Sequence, residues 1–184
     1  LFILSGIFMQ KETFSFIILA AGKGTRMKSS TAKVLHKVAG EPIISLIINK
    51  ILSIKKRIII DKIVVVLGKE SEDIKLFIEE NFKDVKIVIQ NEQAGTADAV
   101  LSAKKLFRNY KNKLVILCGD TPLISSKLLL NLTKLGTSFR LGLSGFKSLK
   151  PLGYGRIVLD SFKQVSSIIE EQDASKLQKK IDLC

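Results

Sequence analysis

Four unbroken apolar runs recur along the chain, and amphipathic stretches separate them. Phe16, Ile17, Ile18 and Leu19 form the first run. This is the pattern of a strand buried on both faces of a parallel sheet. Ile63 to Leu67, Val85 to Ile89 and Leu114 to Leu117 repeat it. Between the runs, Pro42 to Ile54 sets Ile43, Ile44, Leu46, Ile47, Ile51 and Ile54 at three- and four-residue spacing, which predicts a helix with Pro42 at its first position. Ser71 to Phe82 is amphipathic, with Ser71 as a candidate N-cap. Gly95 to Phe107 and Ser125 to Leu135 read as two further helices. Strands alternating with helices predict an α/β fold, a Rossmann-like and mostly parallel sheet with helices on both faces and right-handed crossovers. No internal repeat or low-complexity linker interrupts the pattern.

The unusual residues fall just after the runs. In open parallel sheets, ligands bind beyond the carboxyl ends of the strands. After Leu19 every large side chain disappears. Ala20, Ala21, Gly22 and Gly24 let a ligand approach the backbone, and glycine adopts the positive φ that turns consecutive N–H groups toward an anion. Lys23, Arg26, Lys28 and Lys33 follow, so the loop has what a phosphate needs. It contains neither GxxxxGK[ST] nor GxGxxG, because Gly22-Lys23-Gly24 is followed by Thr25, Arg26 and Met27. After the third run stand Gln90, Gln93, Gly95 and Thr96. Side-chain amides read the donor and acceptor edge of a pyrimidine, and a glycine lets a flat base lie against the chain. Thr96 also reads as an N-cap for the helix that follows. After the fourth run comes Cys118-Gly119-Asp120-Thr121-Pro122. A carboxylate at a strand end beside a phosphate loop suits Mg²⁺, a hard ion that takes oxygen ligands and keeps several waters. Asp120 equally reads as a turn residue capping the next helix. Periodicity alone therefore brings three segments to one edge of the sheet.

Composition changes this picture little. The 184 residues are 46% apolar and 26% charged, enough for one domain with a sizeable core. The formal net charge is +13. The lysines are spread along the chain rather than clustered, so the charge reads as an attraction for phosphorylated substrates and not as a nucleic-acid face. Two cysteines, Cys118 and Cys184, form no CxxC and no disulfide framework, which points to a reducing compartment, the cytoplasm. Leu1 to Met9 is apolar but has no basic start or cleavage site, and it is too short to span a bilayer. Residues 1–12 read as an N-terminal extension, with Met9 a candidate start, and residues 13–184 as the domain. His36, the sole histidine, reads as structural. No Ser/His/Asp or metal-spaced Cys/His arrangement is present.

Longer strings carry a resemblance. L-A-A-G-x-G-T-R-M at Leu19 to Met27 resembles the signature of sugar-nucleotide pyrophosphorylases. K-V-L-H-x-V-A-G-x-P at Lys33 to Pro42 is similar to the N-terminal uridylyltransferase domain of the bacterial bifunctional UDP-N-acetylglucosamine pyrophosphorylase and glucosamine-1-phosphate N-acetyltransferase. Q-x-E-Q-x-G-T-A from Gln90, G-D-T-P-L-I from Gly119, the G-Y-G-R turn at Gly153 to Arg156, and Ile168 to Ala174 follow in the same order. The match runs from about Phe16 to the last residue. It implies a nucleotide-diphospho-sugar transferase fold and transfer of UMP from UTP to N-acetylglucosamine 1-phosphate, releasing pyrophosphate, with one Mg²⁺. It implies that Leu19, Ala20, Ala21, Gly22, Lys23, Gly24 and Gly119 hold the nucleotide and that Gln90, Gln93, Gly95 and Thr96 meet the uracil. Arg26 and Lys33 become catalytic, Asp120 the metal ligand, and Gly155 and Glu170 the sugar contacts. Read without the resemblance, G-Y-G-R is also a plain hairpin turn.

Departures accompany the match. Cys118 stands where the family usually has tyrosine, Asp98 where histidine is frequent, and Gln172 where the I-V-E-x-K-D-A string has lysine. The family's further sugar-contacting asparagine and its second metal ligand lie past the Glu170 segment and beyond Cys184. The resemblance therefore predicts a domain incomplete at its C-terminal end, without the β-helix acetyltransferase domain that assembles the family's trimer, and a monomer is the expectation. Two other functions stay open: a relative that binds nucleotide without turnover, and a pyrophosphorylase for another sugar 1-phosphate.

Overall fold

The computed structural model describes residues 12–22, 24, 27–92, 94–135 and 141–184. The chain divides into two compact units, residues 1–139 and 140–184. Elements of the first unit are β1 (Thr13–Leu19), β2 (Lys37–Val38), β3 (Glu41–Pro42), α1 (Ile43–Ser53), β4 (Ile59–Gly68), α2 (Glu72–Asn81), β5 (Val85–Gln90), α3 (Thr96–Ser102), β6 (Lys113–Cys118) and α4 (Ser126–Leu135). The second unit holds β7 (Arg156–Leu159) and β8 (Val165–Ile169).

The expected parallel α/β sheet is present. Its strand order is β5-β4-β1-β6, and every neighbouring pair is parallel. From β1 the chain steps outward to β4 and β5, then returns to the other side of β1 as β6. Strand order therefore reverses between β1 and β6, the place where open α/β sheets hold ligands. Leu19 pairs with Val66 on one side and Cys118 on the other.

Burial explains the apolar runs. Phe14, Phe16 and Ile18 face one cluster, packed against Ile44, Ile47, Ile48 and Ile51 of α1 with Ile74, Ile78 and Leu129. Ile17, Val64 and Val66 face the opposite cluster with Ala99 and Ala103. Successive strand residues point to opposite faces, and both faces of the central strands β1 and β4 are covered. On β6, an edge strand, Leu114 and Ile116 are 41% and 45% exposed, so that run is buried on one face rather than on both as expected. The four α1 isoleucines are all 0% exposed, and full burial of each stabilises the fold by roughly 1.5–3 kcal/mol.

Several boundaries differ from the expected ones. Pro42 is the N-cap of α1 rather than its first residue, because it also pairs with Lys37 in the short antiparallel β2–β3 ladder. Ser71 occupies the N-cap position of α2 but makes no side-chain cap bond; Glu72 and Asp73 supply first-turn charge instead. Ser125 does cap α4, its Oγ accepting the Leu128 N–H at 3.1 Å. The helix expected over Gly95 to Phe107 divides into α3 and a 3₁₀ turn at Lys104–Phe107. Ala103 N–H bonds back to Val100 O, three residues away, which tightens the last turn and ends the α-helix.

In the second unit β7 and β8 form an antiparallel hairpin. The chain end lines this hairpin: Ile157 N–H donates to Leu183 O at 2.9 Å, and Phe146 and Cys184 exchange backbone bonds of 2.8 Å in both directions. Among the described residues, no helix is long and apolar enough to cross a membrane.

Candidate functional site

The site begins where β1 ends. Ala20 N–H donates to Val66 O at 2.9 Å, and Gly119 N–H donates to Leu19 O at 2.8 Å. The sheet thus grips this segment from both sides before the loop leaves it. The second bond requires a glycine, since a Cβ on Gly119 would lie 2.7 Å from Leu19 O. Gly24 is bare for another reason. Its φ is +60° and its Cβ direction is filled by Lys33 Cβ at 2.9 Å, so a side chain here would meet the lysine stem. At Gly22 a Cβ would meet nothing within 4 Å among the described residues, which leaves the backbone there open to approach. Lys23, Arg26 and Gln93 lie outside the described residues.

Lys33 sits in the 3₁₀ turn Lys33–Leu35 and donates Nζ to Asp120 Oδ2 at 2.6 Å. The two side chains are 38% and 43% exposed. This ion pair lies at the point of strand reversal, between the loop after β1 and the loop after β6. Asp120 is therefore engaged with a cation and is not the cap of α4, a role Ser125 fills. Its neighbour Cys118 has its thiol pushed up by burial and further by the Asp120 charge, with Lys33 opposing. A thiol so held is less often in the reactive thiolate form than an ordinary cysteine, although the residue is exposed.

The donor set fits Mg²⁺ in one mode only. Among the described residues no three His, Cys, Asp or Glu side chains cluster to hold a metal. An all-protein cage is thus absent from them, whereas Mg²⁺ commonly takes one or two carboxylates plus substrate phosphates and water. Asp120, one residue past the Gly119 that bonds to the end of β1, suits that mode.

At the end of β5, Gln90 is 3% exposed. Its Nε2 donates to Asp98 Oδ2 at 2.6 Å and to Gly95 O at 3.2 Å. Gly95 has φ +113° and is the N-cap of α3, which places Thr96 inside the helix rather than at its cap. Strands spaced about 4.8 Å apart put the β5 end roughly 10 Å from β1 and the β6 end about 5 Å to its other side. The Gln90 segment, the small-residue loop and Asp120 are thereby laid out in a row along one sheet edge.

In the second unit the structure brings Gly155 and Glu170 together. A Cβ on Gly155 would stand 3.5 Å from Glu170 Oε2, because Arg156 pairs with Ile169 across the hairpin. G-Y-G-R is the turn entering β7. The hairpin turn itself is Asp160 to Gln164, where Asp160 Oδ1 accepts N–H bonds from Phe162 and Gln164 at 2.8 and 2.9 Å. Sequence reasoning passed over Glu171. Its Oε2 accepts from the 1%-exposed Arg156 at 2.7 Å and from Gly153 N–H at 3.2 Å. Arg156 also donates to Tyr154 O. These bonds, the Arg156 one foremost, hold the Glu171 carboxyl below its ordinary range. The only hint in the sequence was an arginine and a glutamate flanking two short apolar runs. Among the described residues, the buried Nε2 of His36 has no hydrogen-bond partner, and the His36 side chain takes no part in the bonds of the Lys33–Asp120 pair or of Gln90.

A parallel sheet that reverses its strand order beside a small-residue loop is a framework for nucleotidyl transfer, and by class this chain is a nucleotidyltransferase domain. It belongs to the MobA-like NTP transferase domain family, which it matches over residues 16–179. The bifunctional protein GlmU of Campylobacter fetus is 41% identical over 172 residues, covering 92% of this chain and 37% of that protein. GlmU of Bartonella quintana is 40% identical over 169 residues, covering 91% and 37%. These relatives bear out the resemblance read in the motifs, and the chain spans a little over a third of their length. Among solved structures, HddC of Yersinia pseudotuberculosis complexed with GMP-PN superposes with a TM-score of 0.67 at 23% identity, covering 85% of this chain and 69% of that one. A putative glucose-1-phosphate thymidylyltransferase from Bacillus anthracis gives 0.64 at 19%, covering 93% and 68%. At these identities the shared property is the fold.

Proposed function

We propose that this chain is a cytoplasmic uridylyltransferase that moves UMP from UTP to N-acetylglucosamine 1-phosphate, forming UDP-N-acetylglucosamine and pyrophosphate. The observation that carries the reading is the Lys33–Asp120 pair at the strand reversal, with the Lys33 stem packed against Gly24 of the small-residue loop. The GlmU relatives narrow the substrates. A phosphate oxygen of the sugar 1-phosphate attacks the α-phosphorus of UTP, and the bond from the α-phosphorus to the bridging oxygen breaks, so pyrophosphate leaves in line. Positioning and charge neutralisation carry such chemistry.

In this reading Leu19, Ala20, Ala21, Gly22, Gly24 and Gly119 form the surface along which the nucleotide lies. Lys23 and Arg26 neutralise the departing pyrophosphate, and Lys33 a substrate phosphate. Gln90, Gln93, Gly95 and Thr96 meet the uracil, while Gly155 and Glu170 meet the sugar. Asp120 would hold Mg²⁺, which supplies positive charge to phosphate oxygens when bound. The product is an activated sugar suited to cell-wall synthesis. The test is pyrophosphate release from UTP and N-acetylglucosamine 1-phosphate with Mg²⁺, set against glucose 1-phosphate and TTP. Release with the first pair only is expected. Tight UTP binding with no release from any pair would leave a nucleotide-binding relative without turnover.

A further inference from the structure

We propose that Asp98 is a positioning residue that fixes the Gln90 side-chain amide so that Gln90 offers a nucleobase an acceptor and no donor. The proposal rests on the nucleotide site assigned above. Its basis is a count of hydrogen-bonding capacity. A glutamine amide carries two N–H donors on Nε2 and one acceptor oxygen. Nε2 of Gln90 donates to Asp98 Oδ2 at 2.6 Å and to Gly95 O at 3.2 Å, so both donors are spent.

The orientation is set by chemistry. A backbone carbonyl has no proton to give, and neither has an ionised carboxylate. A flipped amide would bring Oε1 against two acceptors at a residue only 3% exposed, where opposed lone pairs gain no relief from water. Asp98 is well held for this task. It lies in the first turn of α3, where a negative charge is favoured, and its backbone oxygen accepts the Ser102 hydroxyl at 3.0 Å. Gly95, at φ +113°, turns its carbonyl to the same nitrogen.

Among the described residues Oε1 has no hydrogen-bond partner, and that atom is what remains for a base. On the pairing edge of uracil the sole donor is N3–H, since O2 and O4 only accept. Gln90 therefore accepts from N3–H. Cytosine presents a bare N3 at that position and is disfavoured there, as is any uracil blocked at N3. The base preference is thus written partly in Asp98, a residue that touches no ligand.

Dissociation constants for UTP, CTP and 3-methyl-UTP, measured by calorimetry with Mg²⁺ and without sugar phosphate, test this. Wild type is expected to bind UTP about tenfold more tightly than either analogue, the scale of one net hydrogen bond. Asp98→Asn and Asp98→Ala release the amide to present either face. Their UTP-to-CTP ratio is expected to fall to within about threefold, the loss of one oriented bond. A general structural role would weaken both nucleotides together and keep the ratio, and that result in folded variants overturns the proposal. Wild type binding 3-methyl-UTP as tightly as UTP overturns it without any mutation, yet leaves the nucleotide site standing. Wild type binding no nucleotide removes the site and the proposal with it.

Discussion

Two glycine-to-alanine changes separate a glycine the fold needs from one the ligand needs. At Gly119 the new methyl would sit 2.7 Å from Leu19 O and 3.1 Å from Ala20 Cβ. Both neighbours belong to the gripped end of β1, so the strands must part by roughly 0.5 Å or more to restore ordinary contact, an overpacking that costs about 1–3 kcal/mol. For a chain of this length that lowers Tm by about 2–12 °C. At Gly22 the methyl meets nothing within 4 Å among the described residues, and φ is outside the left-handed region. Gly22→Ala therefore leaves Tm unchanged or raises it slightly, since alanine restricts the unfolded chain by about 0.4–1 kcal/mol. If a triphosphate lies against that backbone, the same methyl displaces it. UTP affinity then falls by about tenfold or more, equivalent to about 1.4 kcal/mol. Differential scanning fluorimetry and calorimetric titration with UTP measure the two effects. Gly22→Ala with unchanged UTP affinity refutes ligand approach at Gly22, and Gly119→Ala with unchanged Tm refutes the close contact at Gly119.

Other perturbations read the remaining groups. Asp120→Asn removes both the proposed metal carboxylate and the partner of Lys33, so UTP is expected to bind several-fold tighter without Mg²⁺, on the scale of one partly screened charge, and weaker with it; equal shifts in both conditions would sink the assignment. Arg26→Ala should lower pyrophosphate release by about 10²-fold, the scale of one lost transition-state donor, and an unchanged rate removes Arg26 from the mechanism. The Glu171 carboxyl is lowered from an ordinary 4.5, so its stabilising effect is full above that value and fades as pH falls through the depressed one. Glu171→Gln is thus expected to lower Tm by a constant amount from pH 8 to 5, with the gap closing below 4.5; a gap that ignores pH contradicts the ion pair. Cys118, with its raised thiol, should alkylate with iodoacetamide at pH 7 more slowly than a free cysteine, and faster labelling would argue against that environment.

Legibility followed burial. The buried halves of β1 and β4 read clearly because a strand covered on both faces is an apolar run. The first half of β4 did not, since Asp61 and Lys62 lie at its exposed end, and the two-residue strands β2 and β3 carry too few residues to show a period. The loop after β1 was readable because removing every large side chain is visible in one dimension. Partnerships across elements were not. Gln90 and Asp98 meet because a strand end abuts a helix start, and nothing at a spacing of eight residues signals that contact. Arg156 and Glu171 meet only once the β7–β8 register is set. A plain hairpin turn is one of the two readings open at the glycine pair of Gly153 and Gly155, whereas the β7–β8 turn contains no glycine and instead uses Lys163 at φ 61°.

The Lys33–Asp120 pair gains its meaning from being weak. Strand order, not motif spacing, creates it. The loop after β1 neighbours the end of β6 because β6 returns to that side of β1, while a carboxylate at the end of β5 would lie about 10 Å off and leave Lys33 unmatched. A cation-rich loop needs one nearby anion while it waits for phosphate, or its charges repel one another. Had that anion been buried with its lysine, separating them would cost several kcal/mol, and each ligand-binding event would carry that cost. With side chains 38% and 43% exposed, opening the pair costs about 0–1 kcal/mol. A nucleoside triphosphate, carrying several negative charges, readily outcompetes a single screened carboxylate for Lys33. In the proposed reading, the exchange that transfers Lys33 to phosphate also frees Asp120 for a cation. One strand reversal thus pairs one of the loop's cations with a carboxylate that the proposed substrate can displace.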